Sequence, residues 1–112
     1  METTTNTQTI PQQLDELAQR LDSLNVNMPM RMIVQSHITE AGALLADAKF
    51  HLRRAADRNK EAAEMMEQGY NVEMYLNDAA RYSKQAADSF SQCNNEASAA
   101  KRFLQALETG LG

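Results

Sequence analysis

Two adjacent segments of the chain repeat small and apolar residues at alternating spacings of four and three. The first segment carries Val34, Ile38, Ala41, Leu45, Ala48, Leu52, Ala55, Asn59, Ala62 and Met66. The second carries Val72, Leu76, Ala79, Ser83, Ala86, Phe90, Cys93, Ala97, Ala100, Leu104 and Leu107. A repeat sustained over about five heptads is typical of helices that pack along their length. It predicts two long helices, at residues 30–68 and 71–109. We call the repeated residues of the two segments the predicted seam.

Gly69 lies between the two segments and predicts a tight turn. Glycine most readily takes the left-handed conformation that ends a helix, and Asn71 can cap the helix that follows. A connection this short places the two helices side by side and antiparallel. When the seam is paired about the turn, from Met66–Val72 to Val34–Leu104, most central layers set a larger side chain against a smaller one. Such a seam fills at native packing density.

A shorter amphipathic helix is predicted in front of this hairpin. Thr9 and Gln12 have the spacing of a capping box. Apolar residues then follow at spacings of three and four: Leu14, Leu17, Leu21 and Leu24. The pattern predicts a helix at residues 10–25, a disordered tail at residues 1–8 and a single helical domain at residues 9–112. If the helix folds back, we expect it to cover the hairpin end that holds Ile33, Leu44, Phe103 and Leu107.

The half of the hairpin nearest the turn carries more apolar surface than two helices can bury. The residues beside the seam there are Ala56, Ala63, Met65, Tyr75, Ala80, Tyr82 and Ala87. The front helix spans only about 20 Å, against about 55 Å for each long helix. We therefore expect a homo-oligomer, most simply a symmetric dimer that forms a four-helix bundle. The predicted fold class is thus all-α, a short helix before an antiparallel coiled-coil hairpin.

Asn59 interrupts the apolar seam and is predicted to be buried, with Ser83 in the neighbouring layer. A buried asparagine needs hydrogen-bond partners. In coiled coils such a residue fixes the register or the oligomeric state. We therefore predict that Asn59 sets the register, and the alternative is a polar lining for a ligand cavity.

Basic residues are concentrated in one stretch of a chain whose net charge is −4. The stretch contains Lys49, Arg53, Arg54, Arg58 and Lys60. The register places Tyr82 and Lys84 beside it on the other helix. Arginine beside tyrosine can hold a phosphate and stack a base. The candidate site for an anion such as a nucleotide is therefore Arg53, Arg54, Arg58, Tyr82 and Lys84. The alternative is a solvated face balanced by Asp57, Glu61, Glu64 and Asp78.

Composition and charge argue against several other functional classes. The acidic balance disfavours general binding to duplex nucleic acid. No apolar run approaches the ~20 residues needed to cross a bilayer, and the N-terminus lacks the features of a signal peptide, so we expect a cytoplasmic protein. His37 and His51 offer only half a metal ligand set. The single cysteine, Cys93, lies on the seam and is predicted to be a core residue.

These observations predict a protein without a catalytic site or a cofactor. Neither a glycine-rich phosphate loop nor a Ser-His-Asp grouping can be drawn. We expect a self-associating helical module that binds a protein partner, of the adaptor or inhibitor type. The alternative is an oligomeric small-molecule binding protein, or sponge, that holds an anionic ligand at the basic stretch.

Overall fold

The fold is all-α, a helical hairpin preceded by one short helix, as predicted. It was obtained as a computed structural model that describes residues 8–110. The helices are α1, Ile10–Asp22, α2, Met28–Glu67, and α3, Glu73–Glu108. Helices α2 and α3 pack closely against each other. The predicted tail at residues 1–8 lies outside the described residues except for Gln8.

Side-chain caps define both ends of α1 and the start of α2. The Thr9 hydroxyl accepts the Gln12 N–H at 3.3 Å, and Gln12 Oε1 accepts the Thr9 N–H at 2.9 Å, so the capping box is present. Helix α1 ends at Asp22 rather than residue 25, and the Ser23 hydroxyl donates to the Gln19 carbonyl at 3.0 Å. Asn27 Oδ1 accepts the Met30 N–H at 3.0 Å, which starts α2 at Met28.

The turn between α2 and α3 is tight because Gly69 takes a left-handed conformation, with φ at +84°. The Tyr70 N–H donates to the Met65 carbonyl and the Gly69 N–H to the Met66 carbonyl, each at 3.0 Å. This is the hydrogen-bond pattern of a Schellman motif, which satisfies carbonyls that the helix end leaves free. Asn71 Oδ1 then accepts the Glu73 N–H at 2.9 Å, at the start of α3.

The chain divides into two compact units. Unit 1 combines the residues up to Gly42 with those from Cys93 onward, and unit 2 is Ala43–Gln92. In unit 1, α1 adds a third helix to the ends of α2 and α3. Its buried residues are Leu14, Leu17 and Leu21. Arg20 forms a bidentate ion pair with Glu108, with donor–acceptor distances of 2.6 and 3.0 Å.

Helix α1 packs at the predicted end of the hairpin, but it does not cover all the residues expected there. Leu107 is buried, but Ile33 and Phe103 remain 38% and 41% exposed. The α3 residues that line a pocket with Leu17 and Arg20 are Asn94, Ala97, Ser98 and Lys101. At 100° per residue these positions lie on a different flank of α3 from Phe103. Helix α1 packs against that flank and leaves Phe103 exposed.

In unit 2 the buried seam consists, apart from Leu45, of every seventh residue on each helix. On α2 these residues are Ala48, Ala55 and Ala62, and on α3 they are Val72, Ala79 and Ala86. All but Val72 are alanine, which allows two helices to approach toward the lower end of the usual 8–10 Å axial separation.

Most of the other half of the predicted seam is not buried in unit 2, and Leu45, at 8% exposure near the start of the unit, is the exception. Leu52 and Leu76 are each 45% exposed and Met66 is 59% exposed, and Asn59 and Ser83 are exposed too. The prediction of a buried polar layer at Asn59 and Ser83 is therefore wrong for this chain on its own. A step of four residues turns an α-helix about 40° past a full turn, so these side chains are buried only where a third helix covers them. In unit 1 the corresponding residues Ile38 and Leu104 are 8% and 0% exposed.

Candidate functional site

Unit 2 has one flank of exposed side chains without a charge, which we call the open face. On α2 it consists of Leu52, Ala56, Asn59, Ala63 and Met66, and on α3 of Leu76, Ala80, Ser83 and Ala87. Seven of these nine side chains are apolar. The spacing again alternates four and three on each helix, which is the periodicity of a helix-packing surface. The open face is therefore a second packing stripe, adjacent to the buried alanine seam.

The open face is large enough to be an interaction surface. From Leu52 to Met66 it extends about 21 Å along α2, and it is two helices wide. Its projected area is on the order of 400 Å² for two helices with axes 8–10 Å apart. The largest apolar patch of a typical monomer is of about this size and is often a functional surface.

The structure divides the predicted interface residues between two flanks of unit 2. Ala56, Ala63, Ala80 and Ala87 lie on the open face and are exposed. The larger members of the set, Met65, Tyr75 and Tyr82, are half-buried on the opposite flank. Leu52, Met66 and Leu76, assigned to the seam from the sequence, lie on the open face instead. The stripe could have been found in the sequence, since Ala56 and Ala63 continue its spacing between Leu52, Asn59 and Met66.

The opposite flank of unit 2 holds a cluster of aromatic rings and arginines. The Arg54 guanidinium carbon lies 5.9 Å from the Phe50 ring centroid and 5.7 Å from that of Tyr82, and Arg81 lies 5.5 Å from the Tyr82 ring. His51 stacks on Tyr82 with centroids 6.4 Å apart. Hydrogen bonding from Arg54, together with its charge and to a lesser extent that of Arg81, lowers the pKa of Tyr82 below its ordinary value, because both stabilise the phenolate.

Carboxylates neutralise part of this cluster. Arg58 donates to Glu61 at 2.8 Å and lies 3.8 Å from Asp78, which also pairs with Arg81 at 3.2 Å. A shallow depression beside them on α2 has three basic and three acidic side chains: Arg54, Asp57, Arg58, Lys60, Glu61 and Glu64. Arg54 has no ion-pair partner within residues 8–110. Of the arginines in the cluster, Arg54 is thus the one whose charge is not neutralised by a carboxylate in that range.

The five residues of the predicted anion site do not all meet. Arg54 and Tyr82 are in contact, and Arg58 lies near them but is paired with acids. Arg53 and Lys84 are exposed and lie beside the open face, because one residue along a helix turns a side chain by about 100°. Phe50 and Arg81 join the cluster without having been predicted. Phe50 is four residues before Arg54 and Arg81 is next to Tyr82, so helical spacing could have identified both.

Groups with other chemistry are few in the part of the chain that the structure describes. Cys93 is fully buried, and burial raises the pKa of its thiol, which disfavours the thiolate nucleophile. His37 Nδ1 lies 2.7 Å from Glu96, while His51 Nδ1 is buried without a partner among residues 8–110. No group of three His, Cys, Asp or Glu side chains in that range is placed to hold a metal ion.

Comparisons with known proteins add no further assignment. No protein-family model, curated protein or solved structure matches this chain. None of the three described helices is both long and apolar enough to cross a membrane. The two flanks of unit 2 are therefore the features of this chain that bear on its function.

Proposed function

We propose that this protein is a non-enzymatic, self-associating helical interaction module. The observation that carries the proposal is the open face, on which nine exposed side chains are uncharged and two of the leucines are nearly half exposed. Apolar surface at heptad spacing is stabilised by packing against another helix. In unit 1 the corresponding positions are covered by α1, which indicates that a helical layer fits this spacing.

The size of the face sets the expected strength of self-association. An interface of standard size buries about 800 Å² on each partner, and smaller interfaces form weak or transient complexes. The open face and its charged border lie below that size. We therefore expect weak self-association, with a dissociation constant in the micromolar range or above.

Sedimentation velocity across a concentration series tests this proposal. The wild-type protein should change from monomer to dimer or a higher oligomer between low and high micromolar concentration. Ala63→Glu places a charge in the centre of the open face and should leave the protein monomeric, because burying an unpaired carboxylate is costly. Ala43→Glu is the matched control, since Ala43 is also an exposed alanine on α2 within unit 2 but lies outside the open face. Equal association of all three proteins would refute the proposal.

A second candidate function is the binding of an anion such as a nucleotide at Arg54 and Tyr82. It is favoured by one observation, that Arg54 lies between two aromatic rings without a carboxylate partner among residues 8–110. Its guanidinium can bind phosphate while a ring stacks on a base. A thermal-shift screen with mono-, di- and cyclic nucleotides tests it. A shift that Arg54→Gln abolishes and Arg53→Gln retains would support this function, and no shift with any nucleotide would eliminate it.

A further inference from the structure

The border of the open face carries opposite charges at its two ends. Along α2 the exposed border residues are Lys49, Arg53 and Lys60, followed by Glu67 next to the turn. Along α3 they are Glu73 next to the turn and Lys84 farther away. None of these six side chains takes part in an ion pair within residues 8–110. The border is thus acidic at the turn and basic away from it, with its charges free to pair with another molecule.

Two symmetric arrangements bring one open face against another, because the two-fold axis must lie in the plane of contact. If the axis runs parallel to the helices, the turns of both copies lie together, with α2 on α3 of the partner. Glu67 would then meet Glu73, and Arg53 would meet Lys84, so that both contacts are repulsive. If the axis runs across the helices, each helix lies antiparallel to its own copy. Glu67 then approaches Lys49, and Glu73 approaches Lys84, so that these two contacts are attractive, while Lys60 near the axis meets its own copy in one like-charge contact.

We propose that the occupant of the open face is a second copy of this chain, docked with its turn at the basic end of the first. This inference rests on the proposed self-association and adds its geometry. The open face provides the same apolar contact area in either arrangement, and the charges of its border select between the two. Like charges brought together at an interface suppress the wrong arrangement. The contact is centred near Ala56 and Asn59 on α2, and near Ala80 on α3.

Charge reversal at the turn tests the arrangement, because the two geometries predict changes in dimer affinity of opposite sign. In the antiparallel arrangement Glu67→Lys should weaken the dimer about tenfold at low salt, since two attractive pairs become repulsive. Adding Lys49→Glu to the same chain should restore affinity. In the turn-over-turn arrangement Glu67→Lys would instead remove a repulsion and strengthen the dimer, which would overturn the inference. Glu40→Lys makes the same charge change at an exposed site of α2 in unit 1, outside the open face and its border, and it should leave the dissociation constant unchanged.

A distance measurement tests the arrangement without altering the border. A spin label at Gln68→Cys, in a Cys93→Ala background, should give an intermolecular separation of about 30 Å in the antiparallel dimer, since residue 68 lies about ten residues from the centre. A separation of about 10–15 Å would indicate turns that lie together, which overturns the arrangement while self-association stands. A protein that stays monomeric, or whose dimer is insensitive to Ala63→Glu, overturns the proposed function as well.

Discussion

At the residue scale, Arg53 and Arg54 show how far two neighbouring positions can differ in role. Arg54 lies against the rings of Phe50 and Tyr82, while Arg53 is exposed beside the open face. The separation follows from the rotation of about 100° per residue in an α-helix. The positive charge that acts on Tyr82 therefore comes from Arg54 and Arg81, and the two adjacent arginines can be distinguished experimentally.

The first prediction concerns the ionisation of Tyr82. Arg54→Gln should raise the pKa of Tyr82 toward its ordinary value of 10.0, because the largest source of positive charge beside the phenol is lost. Ultraviolet absorbance of tyrosinate, titrated with pH, measures the change against the background of Tyr70 and Tyr75. The control is Arg53→Gln, which removes an identical charge from the next position and should leave the titration curve unchanged. Equal shifts in both variants would show that the effect is general electrostatics and not contact with Arg54.

At the element scale, the two described glycines of α2 and its turn have opposite roles. Gly42 lies inside a helix, where glycine is destabilising, and a Cβ added there meets no atom within 4 Å. Gly69 has φ at +84°, where any other residue is strained even though space is available.

The same substitution should therefore have opposite effects at these two sites. Gly42→Ala should raise the free energy of unfolding by about 1 kcal/mol. Gly69→Ala should lower it by about 1 kcal/mol, because the left-handed backbone conformation at the helix end is unfavourable for alanine. Urea denaturation followed by circular dichroism measures both, and each variant serves as the control for the other. Changes of the same sign would contradict the assigned backbone conformation at Gly69.

The docking of α1 should depend on pH through the Arg20–Glu108 ion pair. Hydrogen bonding to Arg20 lowers the pKa of Glu108 below its ordinary value of 4.5. A carboxyl with a lowered folded-state pKa contributes stability that is present above the ordinary value and is lost as pH falls through the folded value. Arg20→Gln should therefore lower the thermal midpoint slightly at pH 7, and the difference from wild type should disappear in acid. An equal difference at both pH values would show that Arg20 acts through packing alone.

The helices could be predicted from the sequence, while the extent of burial along the seam could not. Thr9, Asn27, Gly69 and Asn71 act locally, so their caps and turn follow from a few neighbouring residues. A heptad pattern, however, gives Ala55 and Asn59 equal rank, although only Ala55 is buried. Positions such as Asn59 are buried only where α1 extends far enough along the hairpin to cover them, and this is a property of the tertiary structure. The contact between Arg54 and Tyr82 was predicted from the register, whereas the separation of Arg53 and Lys84 from it, which follows from the rotation of about 100° per residue, was missed.

At the scale of the whole molecule, the two units differ in how they bury apolar surface. Unit 1 has leucines from α1 and α3 with little or no exposure, including Leu21 and Leu104. Unit 2 closes mainly on alanines, which bury little area each, and it leaves Leu52, Met66 and Leu76 in solvent. Since burial of apolar area is the main stabilising contribution to folding, unit 2 is the less stable half of an isolated chain.

Hydrogen exchange measured by mass spectrometry should therefore depend on protein concentration in unit 2 alone. In dilute solution, amides in Ala43–Gln92 should exchange faster than the amides of α2 and α3 in unit 1, because local opening there exposes less apolar surface. At concentrations well above the dissociation constant, exchange in unit 2 should slow, since association stabilises only the folded form. Ala63→Glu should remove this concentration dependence and Ala43→Glu should preserve it. Protection that is uniform and independent of concentration would mean that the alanine seam is sufficient by itself, and that the open face needs no second chain to cover it.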